Sequence, residues 1–132
     1  MKRIGLSILM VILLTACTSG KTEFFPSQGY SPGAAEVTVI RERRMAGLGF
    51  SMKVLLDERV IARLKAGQYV TFYVDPGVHQ IGIPNESVTA VLERARKHYF
   101  AITTDSSQFG FEIAQISERE AESLMVRAKS IH

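Results

Sequence analysis

The fold class follows from residues 67–77, which read GQYVTFYVDPG. From Tyr69 to Val74 the chain alternates tyrosine and threonine with valine and phenylalanine, a composition typical of a β-strand. Both alternating sets are largely apolar, which favours a central strand buried on two faces. Asp75-Pro76-Gly77 then predicts a type II turn, because proline presets φ and glycine supplies a positive φ at the next position.

Shorter alternating patterns lie on both sides of this strand. Asp57-Glu58 is the expected turn of a hairpin. Short strands at intervals of about 8 to 12 residues are typical of a sandwich. We therefore expect a mainly β domain over residues 36–132, an antiparallel β-sandwich of about seven or eight short strands with one C-terminal α-helix. Besides residues 69–74, the expected strands are 36–41, 52–56, 60–64, 78–83, 88–92, 99–103 and 111–116.

Near the C-terminus the apolar pattern changes from the two-residue period of a strand to the period of an α-helix. Ser117, with Glu120 three residues later, forms a capping box that predicts the start of a helix. Ala121, Leu124 and Met125 then fall on one helical face, together with Ala128 further along. We expect this helix to close an open sheet edge or to cover one sheet face.

The N-terminal 16 residues have the pattern of a secretory signal peptide. Lys2 and Arg3 precede an apolar run of about 11 residues, which is too short to cross a bilayer. Leu14-Thr15-Ala16-Cys17 resembles the lipobox of bacterial lipoproteins, which implies cleavage between Ala16 and Cys17 and a lipid on Cys17. The alternative is an ordinary secreted protein with a free thiol. Thr18, in place of aspartate, implies sorting to the outer membrane rather than the inner one.

Residues 17–35 are expected to form the lipidated cysteine and a flexible tether. The segment is rich in serine, glycine and proline and has no periodicity. Phe24, Phe25 and Tyr30 interrupt it. These aromatic side chains could touch the membrane or a partner, or they could pack on an edge of the domain.

Charge and cysteine content exclude several classes of function. The formal net charge of +3 falls to +1 once Lys2 and Arg3 are removed with the leader, leaving 14 basic and 13 acidic residues. This balance argues against nucleic-acid binding, whose affinity rests on neutralising phosphates. Lipidation of Cys17, the only cysteine, leaves no thiol for a disulfide or a thiolate metal site. We expect no cofactor.

No catalytic motif stands out, and we expect the protein not to be an enzyme. The three histidines, His79, His98 and His132, lack metal-ligand spacing, so no metal site is predicted. His98 lies beside basic residues and is expected in a solvated turn. Carboxylates distant in sequence, such as Asp75, Glu86 and Glu112, could still meet in space, which keeps a small envelope hydrolase as an alternative.

The polar cluster Arg41-Glu42-Arg43-Arg44 follows the first strand. Its three arginines could contact anionic lipid headgroups, peptidoglycan carboxylates or an acidic face of an envelope protein. The alternative is an ordinary solvated loop. Arg41, Arg43 and Arg44 are therefore the candidate contact residues.

Several of these features together resemble a known family. They are the first strand ending at Arg41, the run Gly67-Gln68-Tyr69, the turn Pro76-Gly77-Val78-His79 and the strand beginning Tyr99-Phe100. The pattern resembles the bacterial lipoprotein family DUF2846, whose Pro-Gly-x-His turn is similar to that of PEGA-type and other transthyretin-like domains. The resemblance implies a prealbumin-like sandwich on a lipid anchor and brings no catalytic residues.

These observations predict a lipid-anchored, periplasm-facing envelope protein that acts as a non-catalytic binding module. The partners expected are the membrane, through the lipid, and an envelope protein or peptidoglycan. Besides the hydrolase, a structural or stress-related lipoprotein without a specific ligand remains open.

Overall fold

A computed structural model describes residues 31–43, 50–105 and 110–131 of the chain. The described residues form nine β-strands and one α-helix. The strands are β1 (Ala35–Arg41), β2 (Met52–Leu56), β3 (Arg59–Leu64), β4 (Gln68–Val74), β5 (Gly77–Ile83), β6 (Glu86–Leu92), β7 (Lys97–Thr104), β8 (Phe111–Ile116) and β9 (Lys129–Ser130), and the helix is α1 (Glu118–Met125). The mainly β fold with one C-terminal helix is confirmed.

The strands form two sheets that pack as a sandwich. The five-stranded sheet has the order β8-β7-β1-β4-β9, and the four-stranded sheet has the order β3-β2-β5-β6. Most neighbours are antiparallel, but β1 pairs with β7, and β4 with β9, in parallel. The alternating pattern predicts which face a residue occupies and not which strand lies beside it, so these two parallel pairs had no sequence signal.

The middle strand of the larger sheet is β1, whereas β4, which was expected to be central, is an inner strand between β1 and β9 with one buried and one half-buried face. On its second side β4 pairs, among the described strands, only with β9, at Gln68 and Tyr69. In contrast, β1 lies between β4 and β7 along its length and is buried on both faces. On its outer face, Thr38 exchanges a 2.9 Å hydrogen bond with Thr71 and Ile40 packs under the helix.

The inward side chains of both sheets form one core, which includes Val37, Val54, Phe72, Ile81 and Phe100. The helix covers part of the outer face of the larger sheet, as expected, where Ala121 packs with Ile40 and Tyr99. Ser117 caps it by accepting a 3.3 Å hydrogen bond from the Glu120 amide. None of the described segments is a helix long and apolar enough to span a membrane.

Of the two predicted turns, the hairpin turn at Asp57-Glu58 is confirmed and the type II turn at Asp75-Pro76-Gly77 is not. Asp57 and Glu58 both have positive φ, 48° and 69°, as a two-residue type I′ hairpin requires. Gly77 has φ +139° and is the first residue of β5, so its angle is far from the roughly +80° of a type II turn. Glycine is still required there, because other residues rarely adopt that conformation.

The sandwich has two ends that matter for function. The proximal end consists of residues 31–34, 75–76 and 93–96, and the distal end consists of residues 41–43, 65–67 and 126–128. Strand β1 runs from one end to the other over seven residues, or about 20 Å. The described chain begins at the proximal end, where the Ser31 carbonyl accepts a 3.0 Å hydrogen bond from the Ala34 amide. Residues 31–35, expected in the tether, therefore belong to the folded domain.

Candidate binding surface

Arg41 is buried, which corrects its assignment as a contact residue for a partner or headgroup. Its side chain follows Val37 and Val39 on the inward face of β1 and is only 1% exposed. The period-two pattern of the strand thus extends through the charged residue. A surface partner cannot reach this guanidinium in the folded state.

The Arg41 guanidinium is held by carbonyl groups and aromatic rings. Its Nη1 donates to the Leu64 carbonyl at 2.7 Å and to the Phe50 carbonyl at 2.8 Å. The guanidinium carbon lies 4.7 Å from the centre of the Phe50 ring and 5.3 Å from that of Phe111, distances typical of cation–π contact. Burial lowers the pKa of Arg41. Its role is to fill and close the distal end of the sandwich.

Arg43, in contrast, is exposed and lines a groove at the distal end. The groove has a volume of about 200 Å³ and lies between the end of β1 and the end of α1. Exposed Arg127, just past the helix, also lines it. Arg44, the third predicted contact residue, lies outside the described residues.

The other walls of the groove are partly apolar. Leu124 and Ala128 contribute aliphatic surface above buried Ile40, Ser123 contributes a hydroxyl, and Gly67 lies beside the aliphatic part of Arg43. A Cβ added at Gly67 would lie 3.3 Å from the Cβ of Arg43, so a larger residue would crowd this side chain. Glu42 also lines the groove. The site can thus hold an apolar group with an anionic group beside it.

Arg127 was missed by the sequence reasoning, which considered only the aliphatic positions of the helix. It lies three residues after Leu124, so helical spacing places the two on neighbouring turns. The spacing of Leu124 and Arg127 was the sequence feature that could have identified Arg127 as a groove residue. Its proximity to Arg43 depends on the way the helix crosses the sheet, which the sequence does not state.

His79 lies at the proximal end between two acceptors. Its Nδ1 is 2.6 Å from Oδ2 of Asp57, and its Nε2 is 2.7 Å from the Asp75 carbonyl. Both partners are acceptors, so the imidazolium form can donate to both of them, whereas a neutral ring can donate to only one. Burial acts to lower the pKa of His79, but the bonds to Asp57 and Asp75 outweigh it and the pKa is raised.

Asp57 completes this link between the β2–β3 turn and β5. Its Oδ1 accepts a 2.9 Å hydrogen bond from the Gln80 amide, and its own amide donates to the Gln80 carbonyl at 2.9 Å. Burial acts to raise the pKa of Asp57, but the hydrogen bonds from Gln80 and His79 lower it overall. A general acid needs a raised carboxyl pKa, so this carboxylate lacks that property.

His98 is buried rather than solvated, which corrects the expectation of a basic turn. It occupies an inward position of β7, and its Nε2 accepts a 2.9 Å hydrogen bond from the Glu93 amide. Accepting at Nε2 requires that this nitrogen carries no proton. The ring therefore fixes the turn before β7.

The three carboxylates considered for hydrolysis are not brought together. Asp75 lies at the proximal end, whereas Glu86 begins β6 opposite Ile83, at the other end of β5. Glu112 is in β8 and accepts a 3.5 Å hydrogen bond from Thr103. Within residues 31–43, 50–105 and 110–131, no three side chains of His, Cys, Asp or Glu are grouped to hold a metal ion.

Comparisons with known proteins assign no family to the chain. No protein-family model matches it, and no curated protein matches it. Among solved structures, it is similar to the N-terminal domain of AlgF from P. aeruginosa. The TM-score is 0.46 and the identity 11%, over 67% of this chain and 100% of that chain.

Proposed function

We propose that this chain is a lipid-anchored protein of the bacterial cell envelope whose β-sandwich binds an acidic envelope component without catalysis. The observation that carries the proposal is the groove at the distal end, where Arg43 and Arg127 flank aliphatic surface. The acidic component is a protein segment or the carboxylates of peptidoglycan. The protein faces the periplasm, and Thr18 favours the outer membrane over the inner one.

The chemistry of the groove supports an anionic ligand. An arginine side chain offers a planar set of donors that matches a carboxylate in a bidentate geometry. Arg43 lies in the segment after β1 and Arg127 in the segment after α1, so a ligand that bridges them contacts both segments. Leu124 and Ala128 provide aliphatic surface for an apolar part of the same ligand. The attraction is expected to weaken with salt, because both arginines are exposed.

The anchor is supported by Leu14-Thr15-Ala16-Cys17 and by the resemblance to DUF2846 lipoproteins. Acyl chains on Cys17 would hold the protein at the membrane, since each buried CH₂ contributes about 0.8 kcal/mol. The 14 residues from 17 to 30 would span about 20 Å on average as a flexible chain and about 50 Å when extended. The distal end can therefore reach components beyond the membrane surface.

The test is cross-linking capture of the full-length protein from intact cells, with bound proteins and peptidoglycan fragments identified by mass spectrometry. The Arg43→Glu/Arg127→Glu variant removes the proposed contact. Arg59→Glu/Arg63→Glu is the matched control, because it makes the same charge change at two exposed arginines of β3. Cys17→Ser tests the anchor separately, by loss of the protein from the membrane fraction.

Capture of one dominant acidic component that is lost in Arg43→Glu/Arg127→Glu and kept in the control supports the binding module. Equal capture by both charge variants contradicts it. Such a result would favour the structural or stress-related lipoprotein, or the hydrolase, as the remaining alternatives.

A further inference from the structure

The proximal end of the sandwich carries an exposed apolar pair. Val78 of β5 is 67% exposed and Val91 of β6 is 65% exposed. The two residues are directly opposite each other in the antiparallel β5–β6 pair. Cross-strand partners have Cβ atoms about 5 Å apart, so the two side chains form one continuous apolar surface.

A basic turn follows this pair in the chain. Arg94 and Arg96 lie in the turn that connects β6 to β7, Lys97 is the first residue of β7, and all three are exposed. The Glu93 carboxylate forms a 2.9 Å ion pair with Nε of Arg96. This end of the sandwich therefore has three cations and the Glu93 carboxylate, with Val78 and Val91 on the outer face of the smaller sheet and Lys97 on the outer face of the larger sheet. Further acidic groups at this end include Glu36, which is opposite Lys97 in the β1–β7 pair, and Asp57, which is bonded to His79.

The described chain begins at this same end. The Gly33 carbonyl accepts a 3.2 Å hydrogen bond from the Ala95 amide, and the Arg96 carbonyl accepts a 2.9 Å bond from the Glu36 amide. The Arg94 guanidinium lies against Gly33, since a Cβ there would come within 2.8 Å of its Nε. The first described residues thus lie beside the basic turn.

We propose that the proximal end is a membrane-contacting surface, on which Val78 and Val91 enter the headgroup region and Arg94, Arg96 and Lys97 contact anionic lipid headgroups. The proposal rests on the proposed lipid anchor, which confines this end to the vicinity of the bilayer. It assigns the headgroup contact to the end opposite Arg43, and it turns the distal groove away from the membrane.

Each property of the surface has a physical reason. An apolar side chain at the edge of the acyl region is removed from water, which favours contact. Each cation near an anionic membrane raises the ratio of membrane-contacting to free orientations of the domain about fivefold. Two valines alone are a small apolar area, so contact is expected to depend on the cations as well. Vesicles without anionic lipid should therefore show less contact.

The test uses the full-length lipidated protein in vesicles of phosphatidylethanolamine and phosphatidylglycerol. In Val91→Cys the introduced thiol takes an environment-sensitive fluorophore, because Cys17 is blocked by its lipid. Val126→Cys is the matched control, since Val126 is 86% exposed and lies at the distal end. Quenching by lipid-borne nitroxide reports which label touches the membrane.

We expect blue-shifted, strongly quenched emission from position 91 and little quenching from position 126. Replacing Arg94 and Lys97 by glutamine in the labelled protein should lower the contacting-to-free ratio about 25-fold, from two contributions of about fivefold. The same change at Arg43 and Arg127 should leave it unaltered.

Equal quenching at the two positions, or more at position 126, would overturn the proposal while the anchor stands. A change at position 91 that follows protein concentration in place of lipid would also overturn it and would indicate a second copy on this surface. Absence of lipid on Cys17 by mass spectrometry would overturn this proposal and the proposed anchor together.

Discussion

Nη1 of Arg41 donates a 2.7 Å hydrogen bond to the carbonyl of Leu64. Arg41 ends β1 in the larger sheet and Leu64 ends β3 in the smaller sheet, so this bond joins the two sheets at the distal end. Because the guanidinium is buried, its contribution is to the stability of the sandwich and not to recognition.

Arg41→Met is expected to lower the free energy of unfolding by about 2 to 3 kcal/mol, because the buried Leu64 carbonyl and the partly buried Phe50 carbonyl both lose their donor. Urea denaturation at pH 7 measures the change. Arg43→Met is the matched control and should stay within about 0.5 kcal/mol of the parent, as is usual for exposed positions. An Arg41→Met variant whose free energy of unfolding equals that of the parent would contradict the role assigned to this side chain.

The His79–Asp57 pair predicts a pH dependence of stability. The raised pKa of His79 means that its contribution is complete below the unfolded value of about 6.5 and is lost as pH rises through the folded pKa. The lowered pKa of Asp57 means that its contribution holds above about pH 3.9 and is lost as pH falls through the folded pKa. The pair should stabilise most between about pH 4 and 6.5.

Asp57→Asn tests this dependence, because asparagine tolerates the positive φ and can still accept from Gln80 while the charge is lost. We expect the NMR titration of His79 to shift to lower pH in this variant. The stability difference from the parent should be larger at pH 5.5 than at pH 8.5. An unchanged His79 titration would show that Asp57 does not set the pKa.

Glu58→Gly is expected to stabilise the protein by about 0.5 to 1 kcal/mol, because a residue with a Cβ is strained in the left-handed region. Glu58 occupies that region with φ 69°. Glu112→Gly is the control in an exposed strand position, and there the same change should destabilise by about 0.5 to 1 kcal/mol. Thermal unfolding of both variants measures the signs, and equal signs would contradict the strain argument.

Local patterns predicted most of the fold. Alternation placed the eight longer strands, and the capping box at Ser117 and Glu120 placed the helix. The same alternation also predicts that the Arg41 side chain points inward, like Val37 and Val39, whereas its charge favoured an exposed position. Burial was possible because carbonyls and aromatic rings from three distant segments meet there, which no local pattern contains.

The candidate surface could be predicted only in part. Arg43 was identified from its charge, whereas Arg127 joins it through the crossing of α1 over the sheet. The apolar pair Val78 and Val91 was likewise invisible, since exposure of a valine depends on which sheet face is left uncovered. Tertiary arrangement, which the periodicity does not encode, accounts for each of these omissions.

The most direct test of the central claim is the intact mass of the protein purified from the membrane fraction of cells that express the full-length chain. The account predicts a mature chain that begins at Cys17, with the mass of a diacylglyceryl group and an N-terminal acyl group added. A chain that retains residues 1–16, or that begins at Cys17 with a free thiol, would contradict the lipid anchor and the orientation derived from it.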